Sequence, residues 1–120
     1  DIIEVDRVQK AIDRNPKFLK KVFTEKEIEH FESRNNMITT IAGTFAVKEA
    51  VSKVLGTGIR GFNFTDIEVT RTELGKPEVS LYNGALELAE SLNITEIMVS
   101  ISHSETYAIA YCMGVNQTHT

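Results

Sequence analysis

Phe45-Ala46-Val47-Lys48-Glu49-Ala50-Val51-Ser52-Lys53, running into Gly56-Thr57-Gly58, decides the architecture of this 120-residue chain. At about 100° per residue the stretch sorts into two faces, with Val47, Ala50, Val51 and Val54 on one and Lys48, Glu49, Ser52 and Lys53 on the other. Upstream, Ile38, Ile41, Ala42 and Phe45 lie along the line that later carries Glu49 and Lys53. A helix that is apolar on both sides at its start is a buried helix. Its charged stripe continues a stripe that began as core, and charge at the edge of a core costs free energy unless it is paired or binds something. Glu49 and Lys53 also stand at i,i+4 in the favourable order, so an exposed pair stabilising by about 0.2–0.5 kcal/mol is the simpler reading. Spacing alone supports both.

Asp1 to Val5 reads as a short strand, and Asp6 caps a helix reaching about Asp13. Asn15-Pro16 restarts a helix, with Asn as cap and Pro at the first helical position. Thr24-Glu25-Lys26-Glu27 is a capping box opening a short helix toward Phe31. After a polar loop from Ser33 to Asn36, the long helix runs from about Met37 to Leu55, and Gly56, Gly58 and Gly61 end it. Ile67 to Thr72 and Glu78 to Leu81 alternate as strands joined at Gly75-Lys76-Pro77. Ala85 to Leu92 is a short helix, and Glu96 to Ser102 with Thr106 to Met113 form a closing hairpin around His103-Ser104-Glu105. Strands segregated from a block of helices predict an α+β fold with a largely antiparallel sheet. The length predicts one domain over residues 1–120. The chain opens without Met inside a strand, so a few native residues are expected before Asp1.

Composition is that of an ordinary globular domain, and no apolar run approaches the roughly 20 residues of a membrane span. With no signal peptide visible, a cytoplasmic protein is expected. Cys112 is the single cysteine, which excludes an internal disulfide and fits a reducing compartment. Its place in the apolar run from Tyr107 to Val115 reads as an inert buried thiol. The triplets at Asn63, Asn93 and Asn116 match the glycosylation pattern but carry no meaning without secretion. A net charge of −4 argues against a nucleic-acid partner. Arg7, Lys10, Arg14, Lys17, Lys20 and Lys21 nevertheless gather in one early segment against the single acid Asp13. That segment is either a solvated helix face or a docking surface for an acidic partner.

Gly56-Thr57-Gly58-Ile59-Arg60-Gly61 satisfies G-x-G-x-x-G but closes a helix, whereas the dinucleotide fingerprint follows a strand and opens one. What remains is a glycine turn whose bare N–H groups suit a phosphate or a helix stop. No P-loop is present, and His30, His103 and His119 lack zinc spacing. No nucleophile elbow accompanies the serines.

The long helix resembles the F-x-x-K-E-x-x-x-K signature of the 4′-phosphopantetheinyl transferases, and is most similar to their small holo-acyl-carrier-protein synthase branch. Asp1-Ile2-Ile3-Glu4-Val5, Val22-Phe23-Thr24-Glu25-Lys26-Glu27, Leu74-Gly75-Lys76-Pro77 and Val99-Ser100-Ile101-Ser102-His103-Ser104 match further blocks in the family order. The resemblance implies transfer of 4′-phosphopantetheine from coenzyme A to a serine of apo-acyl carrier protein, in fatty acid biosynthesis. It implies magnesium on Asp1 and Glu49, with Glu49 and Lys53 catalytic. It implies coenzyme A contacts from Lys48, Lys53, Gly56, Gly58, Lys76, Pro77 and His103, the last apparently from a neighbouring subunit of a homotrimer. The basic residues Arg7, Lys10, Arg14, Lys17 and Lys21 would then dock the acidic carrier protein. Two departures stand out. The glycine-containing lead-in to the family Asp is absent before Asp1, and Thr44 stands where relatives commonly carry Arg, so a contact to the coenzyme A phosphates or nucleotide is either lost or supplied elsewhere, by Arg60 or Lys76. A sister enzyme for polyketide or peptide synthase carriers, or a non-catalytic coenzyme A binding module, would share these features.

Overall fold

A computed structural model describes residues 1–116; His119 and the end of the Asn116-Gln117-Thr118 triplet lie outside them. In chain order the elements are β1 (Ile2–Glu4), α1 (Val5–Arg14), α2 (Phe18–Val22), α3 (Glu25–Ser33), α4 (Ile38–Val54), a 3-10 turn (Phe64–Asp66), β2 (Ile67–Arg71), β3 (Pro77–Leu81), α5 (Asn83–Ser91), β4 (Glu96–His103) and β5 (Tyr107–Val115). Every described strand pair is antiparallel: β1-β5-β4 form one sheet and β2-β3 a second. This is the α+β architecture expected from the sequence.

Thr24 Oγ1 accepts from Glu27 N–H at 3.3 Å and Glu27 Oε1 accepts from Thr24 N–H at 2.8 Å, the reciprocal box that starts α3. Asn15-Pro16 does not open a helix. Asn15 is the C-cap of α1, and its Oδ1 accepts from Lys17 N–H at 3.0 Å. This local turn delays α2 to Phe18, because an Asn side chain bonded to the next backbone competes with helical bonding.

Helix α4 is buried nearly all round, from Ile41 through Ser52. The two-faced reading of its second half is overturned, since Lys48 and Ser52 are fully buried. Packing on both sides explains this. The β1-β5-β4 sheet covers one side of α4 so closely that a Cβ added at Gly43 would meet Ile101 Cγ2 at 3.1 Å, and α1, the Phe18 ring of α2 and the β2 region cover the rest. The inward residues Ala108 and Ala110 of β5 let the sheet sit close on Val47 and Val51. Cys112 Sγ lies 3.9 Å from Val47 O, and burial pushes its thiol up to about 11. It is a packing residue.

The same sheet leaves its other face uncovered. Ile2, Met98, Tyr107, Ile109, Tyr111 and Met113 are each 44–64% exposed, and the pairings Ile2–Ile109 and Met98–Met113 set them side by side. The apolar run of β5 is thus half core and half surface in one chain.

Candidate active site

Ala110 N–H donates to Asp1 C=O at 2.8 Å, which sets the head of β1 beside α4. There Asp1, Arg7, Phe18, Phe45, Glu49 and Lys53 line one cleft. Lys53 Nζ donates to Asp1 Oδ1 at 2.6 Å; the Asp1 side chain is 10% exposed and that of Lys53 66%. Lys53 therefore bonds across the cleft to Asp1, and the helix pair with Glu49 that spacing allowed does not form. Among the described residues the Glu49 carboxylate, half-buried in the cleft wall, has no hydrogen-bond or ion-pair partner. An unpartnered carboxylate at the edge of a core carries a desolvation cost with nothing to offset it within the chain.

No group of three or more His, Cys, Asp or Glu side chains among the described residues could hold a metal unaided. Two carboxylates beside an open cleft instead suit a hard cation such as magnesium, which takes one or two carboxylates and completes its shell with phosphate and water oxygens.

Lys48 is elsewhere. Its Nζ donates to Glu27 Oε1 at 2.8 Å, Phe64 O at 2.9 Å and Ile67 O at 2.5 Å, and sits 5.5 Å from the centre of the Phe23 ring. All three protons are used and the side chain is fully buried, so the expected coenzyme A contact by Lys48 is corrected to a core clamp. Burial pushes the Glu27 carboxyl up and the Lys48 ammonium down, and each partner opposes the other's shift. Glu27 Oε2 also accepts from Val69 N–H at 2.8 Å, so this pair ties α3, β2 and the 3-10 turn to α4 one residue before Glu49. The sequence reading stopped at the capping box and missed this second duty of Glu27. The signal was present in the side-by-side signature residues Lys48 and Glu49, of which only one can face the cleft.

Gly56 N–H and Gly58 N–H are spent on Lys53 O and Ser52 O, at 3.0 and 3.2 Å. The N–H groups of Gly56 and Gly58 are therefore not bare, and positive φ angles of 83° and 62° make these glycines a helix stop. Lys76 and Pro77 border a groove between β3 and β4, lined also by Leu81, Leu86 and Val99, and do not join the Asp1 cleft.

His103 opens into a different cleft, with His30 and Arg34 of the α3 end, Thr40 and Gly43 of α4, and Arg71 of β2. At about 100° per residue, Thr40 and Gly43 lie on the side of α4 opposite Phe45 and Glu49. One chain therefore presents His103 and Glu49 on opposite sides of one helix. Thr44 is buried with its hydroxyl on Thr40 O at 3.2 Å and reaches neither cleft. Arg60 and Lys76, the expected substitutes, do not line the His103 cleft; Arg34 and Arg71 do.

Arg7, Lys10, Arg14, Lys17, Lys20 and Lys21 are all exposed, Lys10 pairing with Asp6 at 3.0 Å. Arg7 both belongs to this basic face and borders the Asp1–Glu49 cleft, so the face runs into the cleft mouth.

Residues 1–112 match the family model of the 4′-phosphopantetheinyl transferase superfamily. The chain belongs to this superfamily. It is 58% identical over 115 residues to a holo-[acyl-carrier-protein] synthase of Clostridium perfringens, covering 92% of this chain and 86% of that protein. The superfamily fold is seen in the crystal structure of Helicobacter pylori holo-[acyl-carrier-protein] synthase in complex with coenzyme A, at 32% identity, a TM-score of 0.84 and 96% coverage of both chains. A holo-ACP-synthase of Plasmodium yoelii superposes with a TM-score of 0.86 at 32% identity, over 98% of this chain and 92% of that one. No described helix of this superfamily member is long and apolar enough to cross a membrane.

Proposed function

We propose that this chain is a holo-acyl-carrier-protein synthase, transferring 4′-phosphopantetheine from coenzyme A to a serine of apo-acyl carrier protein for fatty acid biosynthesis. The observation that carries the reading is the unpartnered Glu49 carboxylate facing the Asp1–Lys53 pair in a cleft, on a chain of this family. The serine oxygen attacks the phosphorus bearing the pantetheine arm, its proton passing to the Glu49 carboxylate or to a water. The bond to the bridging oxygen breaks, and adenosine 3′,5′-bisphosphate leaves. Magnesium held by Asp1 and Glu49 would supply charge neutralisation on the diphosphate oxygens. The ammonium of Lys53, exposed at the cleft mouth, can swing from Asp1 to a phosphate oxygen and offset negative charge on the leaving group. Arg7 extends the positive field toward the incoming carrier protein. The catalytic contribution of these residues is position and charge, which dominate phosphoryl transfer. The cytoplasm, where coenzyme A is available and a lone thiol stays reduced, is the proposed location. Mass spectrometry of apo-acyl carrier protein incubated with coenzyme A, magnesium and this protein tests the reading. A gain of the phosphopantetheine mass is expected, and an unchanged carrier overturns it. Apo-carrier domains of polyketide or peptide synthases in the same assay test the sister-enzyme reading, and are expected to be modified more slowly.

We further propose a homotrimer with sites between subunits. Two observations support it: the uncovered apolar face of the β1-β5-β4 sheet, larger than scattered surface apolar residues require, and the placing of His103 and Glu49 on opposite sides of α4. A coenzyme A molecule reaching both must span two copies. Mixing Glu49→Gln with His103→Ala chains, each inactive alone, should restore activity at about one site in four, as random assembly of a cyclic trimer allows. No recovery in verified mixed oligomers counts against shared sites.

The exposed basic face should dock the carrier protein. Reversing Arg14 and Lys21 to Glu should raise the Michaelis constant for the carrier severalfold at low salt while leaving that for coenzyme A unchanged. The mutant should also show a flatter salt response, because exposed charges are screened over about 8 Å at physiological ionic strength. Parallel salt curves for the two proteins would return this face to simple solvation.

A further inference from the structure

Most of the buried side chains of α4 are small, Ala42, Ala46, Val47, Ala50 and Val51 among them. Helices lock against their neighbours through ridges of side chains set into grooves, and small residues make shallow ridges. Shape alone therefore fixes the rotation of α4 about its own axis only weakly. The cleft depends on that rotation, because Glu49 and Lys53 ride on α4 whereas Asp1 precedes β1. A side-chain tip lies about 5–6 Å from its helix axis, so a turn of about 20° would carry the Glu49 carboxylate about 2 Å past Asp1.

Among the described residues, the strong directional bonds that α4 makes inside the core are those of Lys48. Its three acceptors come from three elements: Glu27 of α3, Phe64 O of the 3-10 turn and Ile67 O of β2. A turn of α4 in either direction breaks at least one of them. Burial pushes the Lys48 ammonium down, and the carboxylates of Glu27, Glu68 and Asp66, all buried, oppose that shift. Glu27 is itself held from two other sides, by Thr24 N–H and Val69 N–H, so the anchor does not move with the helix. A buried ion pair seldom stabilises a protein more than apolar side chains of the same volume would, and its best-attested use is to fix register.

We propose that Glu27 and Lys48 are positioning residues for the transfer reaction: the buried pair fixes the rotation of α4 and so aims Glu49 and Lys53 at Asp1. The inference rests on the function proposed above. Neither residue of the pair reaches the cleft, and both act through the side chains that do.

The test uses Glu27→Leu and Lys48→Met together, which removes both charges at once. If the pair only supports the fold, each folded molecule turns over as the wild type does. A positioning pair predicts a kcat at least about tenfold lower per folded molecule, since a misplacement of about 1 Å can cost about 100-fold. KM for coenzyme A should stay within about twofold, as expected when an interaction made only in the transition state is lost. The half-saturating magnesium concentration should rise, because Glu49 no longer faces Asp1 squarely. Leu88→Ala on α5, a core change away from the pair, is the control and should lower stability with kcat per folded molecule unchanged. A wild-type kcat in the double variant, or an equal fall in the control, overturns the proposal. If the double variant does not fold, Lys48→Met held folded by sucrose takes its place, with the same expected results. Crystal structures of wild type and variant separate this from failure of the transferase reading. The Glu49 carboxylate should stand at least about 1 Å from its wild-type place relative to Asp1, whether or not any carrier protein is modified. An unmoved carboxylate overturns the positioning role, whereas a wild type that modifies no carrier overturns the transferase reading alone.

Discussion

Glu49→Gln should lower transfer at least about 100-fold while the melting temperature stays within a few degrees of wild type. Among the described residues the carboxylate has no partner, so neutralising it breaks no ion pair and leaves no buried donor unsatisfied there. Surface changes of that kind fall within about 0.5 kcal/mol. What is lost is one of two anionic oxygen ligands for a divalent ion, or the acceptor for the serine proton. Removal of a single preorganised electrostatic group from such a site costs about 100–1,000-fold. A magnesium titration at fixed coenzyme A distinguishes the two duties: a metal ligand raises the half-saturating concentration, whereas a pure proton acceptor lowers kcat at unchanged magnesium affinity. Wild-type turnover with unchanged magnesium dependence sinks both assignments. Marked destabilisation would instead mean that Glu49 has a structural partner.

Lys48→Met should behave in the opposite way, costing about 3–5 kcal/mol of stability, the scale for removing one partner of a buried ion pair. The substitution leaves Glu27 charged in the core and takes the donor from Phe64 O and Ile67 O. Urea unfolding measures the loss. The double variant Glu27→Leu with Lys48→Met should recover part of it, because two apolar groups carry no unpaired charge. If Lys48 were a phosphate contact, the single variant would raise KM for coenzyme A and unfold like the wild type. A loss below about 1 kcal/mol sinks the clamp.

Local rules were sufficient wherever a few neighbouring residues decide the outcome. The Thr24–Glu27 box, the alternating runs of β2, β3, β4 and β5 and the glycine stop after α4 form as patterning and capping predict. The burial of α4 followed from Ile38, Ile41, Ala42 and Phe45, since no single surface could cover two apolar sides. Asn15-Pro16 was misread because two local bonding patterns competed over the same three residues.

The tertiary structure decided where each charge goes. Lys48, Glu49 and Lys53 lie within six residues on one helix, yet among the described residues Glu49 faces a cleft unpartnered, Lys48 is sealed in the core and Lys53 bonds to Asp1. Helical phase separates them by 100° steps, but the identity of each partner depends on segments as distant as residues 1, 27 and 67. Arg34, Arg71 and His103 were scattered along the chain until α3, β2 and β4 brought them to one cleft. The sequence by itself determined the family and most of the elements, because those reside in local pattern and order. Which charges are spent inside the fold and which remain for a ligand is a property of packing, since pairing energy depends on distances that only the assembled chain sets.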